Sequence, residues 1–428
     1  MRKTIVFAMC LFILALTRGV RADEMSELKE QMRQMQQRLD QLETSRENQD
    51  KQINEKISQM VEARQADAVP QSLKWAEKIK FSGDLRYRHE TIDSQSSGKD
   101  KDGTNRNRIR ARLGLSVNIN EEWDLGFRFA TGSSDPSSTN QTLENGFSSK
   151  DVWLDLAYFD WHPQSVERLN VYGGKMPNPF YTAGKNQLIW DGDVTPEGIA
   201  AKYSMPMWGE NNTLYINGGG FWLKPDTGAE GAASVWGVQG YMKHTFENKD
   251  YMLGGLSYYI FGNLEGKEGL YKSSGSGASK FGNTMTGSGT TASPYRYAGA
   301  YKVLEAFGEY GFKLADKPSN VYGSFIKNTA AVTSEDTGWL IGINFNKAKD
   351  PGSWQLGYNY RKVEKDATIG VLTDSDFVGG GTDGKGHCFT GTYQLTKNIQ
   401  AGLTYFLSEK GPTEDKYRRI MADLIFKF

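Results

Sequence analysis

From Ile79 onward, apolar and polar residues alternate along the chain. Ile79, Phe81, Gly83, Leu85 and Tyr87 interleave with Lys80, Ser82, Asp84, Arg86 and Arg88, and a period of two sends each set to one face of a β-strand. The pattern repeats in the apolar sets Ile109, Ala111, Leu113, Leu115, Val117; Trp123, Leu125, Phe127, Phe129; Val152, Leu154, Leu156, Tyr158; and Leu169, Val171. Further strands are predicted near 197–204, 213–223, 234–246, 251–261, 301–314, 321–327, 337–346, 353–363, 386–395, 399–407 and 417–428. The total is 16, with 14 and 18 as alternatives where boundaries shift. An even number of strands, each with one greasy and one polar face, predicts an all-β fold, a transmembrane antiparallel β-barrel.

The connections alternate in length. Short ones fall at 120–122, 247–250, 315–320, 347–352 and 396–398, and longer polar ones at 91–105, 131–149, 176–196, 262–299, 328–336 and 364–385. Short turns at one end and long loops at the other are the topology of a single-chain bacterial barrel with both chain ends on the short-turn side. The Gly/Ser/Thr-rich stretch from Lys272 to Ser293 reads as a mobile external loop or, by composition alone, as a low-complexity linker.

Ahead of the strands the period changes. Met25, Leu28, Met32, Met35, Leu39 and Leu42 follow alternating steps of three and four, the a/d seam of a coiled coil. Arg46 and Gln49 interrupt the seam before Ile53 and Met60 restore it. Nearly everything else between 24 and 64 is polar, so a helix here either self-associates or stands as a solvated spacer. The first residues differ again: Arg2 and Lys3, an apolar run from Ile5 to Leu16, and Val20-Arg21-Ala22 before an acidic stretch. This is the layout of a secretory signal peptide cleaved after Ala22, too short in its apolar run to span a bilayer. The expected organisation is therefore 1–22 signal peptide, 23–65 coiled-coil segment, 66–74 linker containing Pro70, and 75–428 barrel.

Composition narrows the function classes. Lysine plus arginine and aspartate plus glutamate each number 51. Loss of residues 1–22 removes Arg2, Lys3, Arg18 and Arg21 and no acid, so the remaining chain is slightly acidic and nucleic acid is not an expected partner. Cys388 is then the lone cysteine, which excludes an intrachain disulfide and a cysteine-built metal site. A mean hydropathy of -0.59 leaves no helical membrane span. By contrast, 48 glycines, 21 tyrosines, 21 phenylalanines and 10 tryptophans against 12 prolines suit many strands and turns.

If greasy residues face lipid, Arg86, Arg88, Arg106, Arg108, Arg110 and Arg112 of the first hairpin face the lumen, joined by Arg128. Pairing around the 91–105 loop sets Arg86 near Arg110 and Arg88 near Arg108. Like charges facing each other are destabilising unless water, acids or passing anions screen them. Such a wall attracts anions, unless Asp84, Glu90 and acids of an infolded loop neutralise it. Glu305 and Glu309 also have inward parity, giving a pore lining of mixed charge. Segment 176–198, with Pro179, Phe180, Trp190, Asp191, Asp193 and Glu197, is a candidate constriction loop or else an ordinary external loop stiffened by proline. Phe426 and Phe428, on an alternating last strand, resemble the C-terminal signal read by barrel-assembly machinery. His89, His162, His244 and His387 sit in no nucleophile or metal motif, and neighbours His387 and Cys388 point to opposite faces of a strand. No catalytic residue, metal site or cofactor is expected.

Strand Leu169–Lys175 runs into Gly173-Gly174-Lys175-Met176-Pro177-Asn178-Pro179-Phe180, followed by Trp190-Asp191-Gly192-Asp193-Val194-Thr195-Pro196-Glu197-Gly198. These motifs resemble the putative-porin family of Gram-negative bacteria and, more distantly, phosphate-selective porins of the O and P type. The resemblance covers roughly 75–428. It implies a 16-stranded homotrimeric porin with a loop narrowing the lumen. The expectation is a water-filled outer-membrane channel for small hydrophilic solutes and ions, with anion preference, set in outer-membrane lipid, its N-terminal segment in the periplasm. The alternative is an outer-membrane anchor that acts through its coiled coil.

Overall fold

Sixteen long antiparallel strands carry the alternating pattern, each hydrogen-bonded to its neighbours in chain order. In the computed structural model, which describes residues 22–66, 74–225, 228, 231–271 and 280–428, they are β1 (Ile79–Ser96), β2 (Thr104–Asn120), β3 (Trp123–Thr131), β4 (Val152–Trp161), β5 (Leu169–Lys175) and β6 (Glu197–Pro206). They continue as β7 (Asn212–Lys224), β8 (Ala233–Thr245), β9 (Tyr251–Gly262), β10 (Tyr301–Leu314) and β11 (Lys317–Asn328). The last are β12 (Thr337–Phe345), β13 (Trp354–Val363), β14 (Gly384–Thr396), β15 (Ile399–Lys410) and β16 (Asp415–Lys427). Two-residue strands at Lys99–Asp100, Gln141–Thr142, Met285–Thr286 and Arg296–Tyr297 decorate the loops.

The sheet closes where β16 pairs with β1, in a register running from Asp84 opposite Lys427 to Ser94 opposite Tyr417. Closure leaves no edge strand to be satisfied by lipid. The seam extends one residue past β16. Gly83 N–H donates to Phe428 O (3.0 Å), and Phe428 N–H donates back to Gly83 O (3.1 Å). The Phe428 ring lies over Gly83, where a β-carbon would come within 2.5 Å of its Cζ. The first hairpin is longer than its pattern predicts. β1 and β2 keep pairing past Thr91, where Thr91 Oγ1 donates to Asn105 Oδ1 (2.7 Å), and the connection shrinks from the expected 91–105 to 97–103.

The outer face is the greasy one: Phe81, Leu113, Phe129, Ile199, Trp236, Leu256, Ile341 and Leu403 are all exposed. The inner face is of two kinds. On β1, β2, β3 and β16 it is charged. On β8 to β12 it is largely apolar, with Val235, Tyr259, Phe261, Val303, Phe307, Tyr322, Ile326 and Leu340 buried. Three loops cover this second wall and form one core with it, through Phe180, Leu188, Ile189 and Trp190 of segment 176–196, Leu264 and Tyr297 of the connection between β9 and β10, and Ala367, Ile369, Val371 and Leu372 of segment 364–383. Each large side chain so removed from water contributes roughly 1.5–3 kcal/mol.

The chain divides into two units, Met1–Ala76 and Glu77–Phe428. In the first, helix α1 (Ala22–Ala66) runs for 45 residues. Its seam residues Met32, Met35, Leu39, Leu42 and Ile53 are exposed. Residues 1–21, which hold almost all of the expected signal peptide, and 67–73, which hold most of the expected linker, lie outside the described residues, as does 272–279 of the Gly/Ser/Thr-rich loop.

Candidate functional site

On the inner wall, the β1–β2 register sets Arg86 opposite Arg110, Arg88 opposite Arg108, Glu90 opposite Arg106 and Asp84 opposite Arg112. Acids close the gaps that like charge would open. Asp84 accepts from Arg110 Nη2 (2.9 Å) and Arg112 Nε (2.7 Å). Glu90, fully buried, accepts from Arg106 and from Arg419 of β16 and stands 3.8 Å from Arg108 Nη1. Arg88 pairs with Asp423 of β16 (2.7 Å), and Arg128 of β3 with Asp155 of β4 (2.5 Å). Arg86 forms no ion pair among the described residues; its Nη2 donates to Asn140 Oδ1 at 2.5 Å. Arg108 reaches the carbonyl of the same Asn140 (3.4 Å).

Two infolded loops supply the other acids. Asp193 accepts from Thr139 N–H (3.2 Å) and Oγ1 (3.0 Å) and lies 3.8 Å from Arg110 and 3.6 Å from Arg112. Asp376 bridges Arg88 (3.0 Å) and Arg419 (2.9 Å), and Asp374 takes Arg361 of β13 (2.7 Å). Burial pushes the Asp376 carboxyl up, but the Arg419 and Arg88 guanidiniums outweigh it and hold the group well below the usual carboxylate range.

Segment 176–196 crosses the inner wall by named bonds. Tyr181 N–H donates to Gln239 Oε1 (2.7 Å) on β8, and Tyr181 OH and Gly184 N–H both donate to Glu309 Oε2 (2.7 Å each) on β10. Phe180 stands edge-on to Tyr259 with ring centroids 4.9 Å apart, and Trp190 packs on Tyr259 at 5.4 Å. Pro179 is buried beside Phe180. The two loops meet at Asp191, whose N–H donates to Leu372 O (2.7 Å) and whose Oδ2 accepts from Ser375 N–H (2.8 Å). Burial, with Asp374 and Asp193 close by, raises the Asp191 carboxyl well above its ordinary value. Below this belt a cavity of about 730 Å³ is lined by Arg86, Arg88, Arg361, Lys185, Tyr251 and Glu309, among others.

Some candidates land elsewhere than the alternation suggests. Glu305 points inward but is 3% exposed, bonded to Ser257 and Ser324 (2.8 Å each) in the wall covered by loops, so it does not line open lumen. Glu197 sits outside the infolded segment as the first residue of β6, paired with Lys175 (2.8 Å) and largely exposed. Phe426 and Phe428 are exposed. His387 bonds Tyr358 OH (2.9 Å), while Cys388 is buried with no disulfide partner. Arg419 and Asp423 share inward parity on β16 and were findable from the alternation. Asp374, Asp376 and Asn140 were not, because no period governs loop residues. Among the described residues no helix is long and apolar enough to cross a membrane, which leaves open crossing by strands, and no acid, histidine and cysteine cluster could hold a metal ion.

The sequence profile of the family described as Putative porin matches residues 96–288 and 303–415. No curated protein matches the chain. Among solved structures, OprB of Pseudomonas putida at high pH matches with TM-score 0.52 at 12% identity, over 82% of this chain and 95% of that one. OmpF of Salmonella typhi in complex with daunomycin follows at TM-score 0.49 and 11% identity, over 82% and 97%. A mutant porin of Rh. blastica matches at 0.45 and 10%, over 82% and 100%. At such identity the OprB likeness establishes the fold alone.

Proposed function

The chain belongs to the putative-porin family and is a channel-forming outer-membrane porin, and from that premise we propose that it passes small hydrophilic solutes and ions by passive diffusion with a weak preference for anions. The observation that carries the preference is Arg86, a guanidinium on the cavity wall with a neutral partner where its neighbours have carboxylates. Because Asp84, Glu90, Asp193, Asp376 and Asp423 offset most of the remaining positive charge, the field across the lumen is local, and the preference is modest. Segment 176–196 acts as the constriction. The short turns face the periplasm and the long loops the exterior.

Planar-bilayer recording tests this reading. Stable ohmic steps are expected, with a reversal potential in a salt gradient that favours the anion slightly. A folded but silent barrel, or a cation-favouring potential, overturns it. Replacing Arg108, Arg110 and Arg112 by serine tests whether the ladder sets the preference.

The exposed seam of α1 supports a second element of the proposal, self-association of the helix on the periplasmic side as part of a homotrimer. At about 1.5 Å per residue the 45-residue helix is about 68 Å long. Deleting residues 24–64 is expected to loosen the trimer in native electrophoresis, and unchanged trimer stability removes this role.

A further inference from the structure

The cavity below the loop belt is charged unevenly, its lining holding seven cationic side chains against four carboxylates. Two of the cations are matched on the spot: Arg361 pairs with Asp374 (2.7 Å) and Arg88 with Asp376 (3.0 Å). The other five, Arg86, Lys185, Lys249, Lys313 and Lys347, form no ion pair among the described residues. The two remaining carboxylates are held by neutral donors. Glu309 accepts from Tyr251 OH (2.6 Å) and Asn320 Nδ2 (2.7 Å) besides Tyr181 OH and Gly184 N–H, and Asp250 accepts from Asn248 Nδ2 (2.8 Å). The chamber thus carries a net positive charge of three, and four of its five unmatched cations are lysines outside the arginine ladder.

These cations come from different elements and meet at one space. Lys313, inward on β10, and Lys249 and Lys347, in the short turns after β8 and β12, surround its floor, and Arg86 stands on the β1 wall. Lys185 is in the roof, at the tip of the infolded segment, where Gly184 (φ 60°) and Lys185 (φ 58°) are both left-handed. That conformation is disfavoured for a residue with a β-carbon, and the surroundings hold it. The Tyr322 ring occupies the place a β-carbon of Gly184 would take, Gly184 N–H is bound to Glu309, and Lys185 N–H donates to Thr182 O (3.0 Å). The backbone at Lys185 is therefore fixed while its side chain stays exposed in the chamber.

We infer that this chamber binds a polyvalent anion on its way through the lumen, and that Lys185 in its roof sets the charge class it accepts. A monovalent anion answers one ammonium and leaves the rest of the excess in place. An anion with two or three separated charges answers several at once, and its Coulomb attraction rises in proportion to its charge. Ammonium groups on long flexible stems converge on such an anion from roof and floor, whereas Arg110 and Arg112 of the ladder are already locked onto Asp84. The same excess turns cations away.

The inference rests on the channel reading, and the test separates the two. Isothermal titration calorimetry is run on the full-length protein in detergent at neutral pH with citrate, beside gluconate, a monovalent carboxylate of similar size, and conductance is recorded on the same preparation. Citrate is expected to bind and to lower the chloride current, and gluconate at the same concentration to do neither. Lys185→Gln and, independently, the double variant Lys313→Gln with Lys347→Gln are each expected to weaken citrate binding roughly three- to tenfold. Lys185→Arg, which keeps the charge, retains it. Equal binding of citrate and gluconate overturns the inference, as does wild-type citrate affinity in either neutralised variant. A conducting protein that does not bind citrate defeats the chamber and leaves the channel standing. A silent protein that binds it defeats the channel and keeps the chamber.

Discussion

Along β1, β2 and β16 the inner face of the barrel is held by charge, whereas along β8 to β12 it is held by packing. The charged wall has guanidiniums facing each other in register, with Asp84 shared between two arginines and Glu90 among three. The packed wall has Tyr259, Val303 and Ile326 fully covered by Phe180, Trp190 and their neighbours. The difference teaches how a lumen can be narrowed on one side only. Apolar inward residues draw a loop onto themselves because water leaves them favourably. Charged inward residues such as Arg88, Glu90 and Arg419 are buried in ion pairs, and the loop residues they accept, such as Asp193 and Asp376, are ones that complete such a pair. The proposed constriction is therefore asymmetric, with protein bulk over β8–β12 and charge along β1–β3.

Breaking each wall by its own principle should give different failures. The largest effect is expected from Glu90→Gln, which strands Arg106 and Arg419 without their carboxylate in a fully buried position. Loss of a buried partner costs about 3–5 kcal/mol, read as a drop in the temperature at which the barrel loses its heat-modifiable electrophoretic shift. Phe180→Ala removes a comparable amount, about 3–5 kcal/mol, from the loop's hold on its wall. It is expected to raise single-channel conductance and speed hydrogen exchange in 176–196 while β1–β3 exchange as before. Arg86→Ser touches no ion pair, so stability should change little while the reversal potential moves toward the non-selective value; an unchanged potential removes Arg86 from selectivity.

The smallest expected effect, and the most diagnostic, is on pH. Asp191 has its carboxyl raised above the ordinary 3.8 by burial and by Asp374 and Asp193. Its contribution is thus complete below the ordinary value and is lost as pH rises through the raised one. Asp376 is depressed by Arg419 and Arg88, so its contribution is present above 3.8 and lost only as pH falls through the depressed value. Between neutrality and the ordinary carboxylate range, falling pH should therefore tighten the junction of the two loops and leave the Asp376 pairs intact. Exchange in 176–196 and 364–383, corrected for its intrinsic pH dependence, should slow over that window, and Asp191→Asn should abolish the trend.

Much of the barrel was legible in the order of residues. Alternation fixes which side chains share a face, and since a one-residue slip would put Arg86 and Arg88 in lipid, register follows from the same pattern. The inward parity of Arg106 to Arg112, Arg128, Glu305 and Glu309, the even strand count and the alternating loop lengths all come from local repetition. What repetition does not encode is which inward residues stay wet. Glu305 and Arg86 have the same parity, yet one lies under a loop and the other lines the cavity. Where segments 176–196 and 364–383 fold depends on contacts between positions far apart in the chain, such as Gly184 with Glu309 or Asp376 with Arg88. Sequence by itself determined the strands, their order and most of their faces, because those are set by neighbours two residues away; the exception is β4, where a bulge after Leu154 turns Leu156 and Tyr158, expected on the outer face, to the inside. Tertiary structure alone decided the bore and its field, because both depend on where aperiodic loops come to rest against the wall.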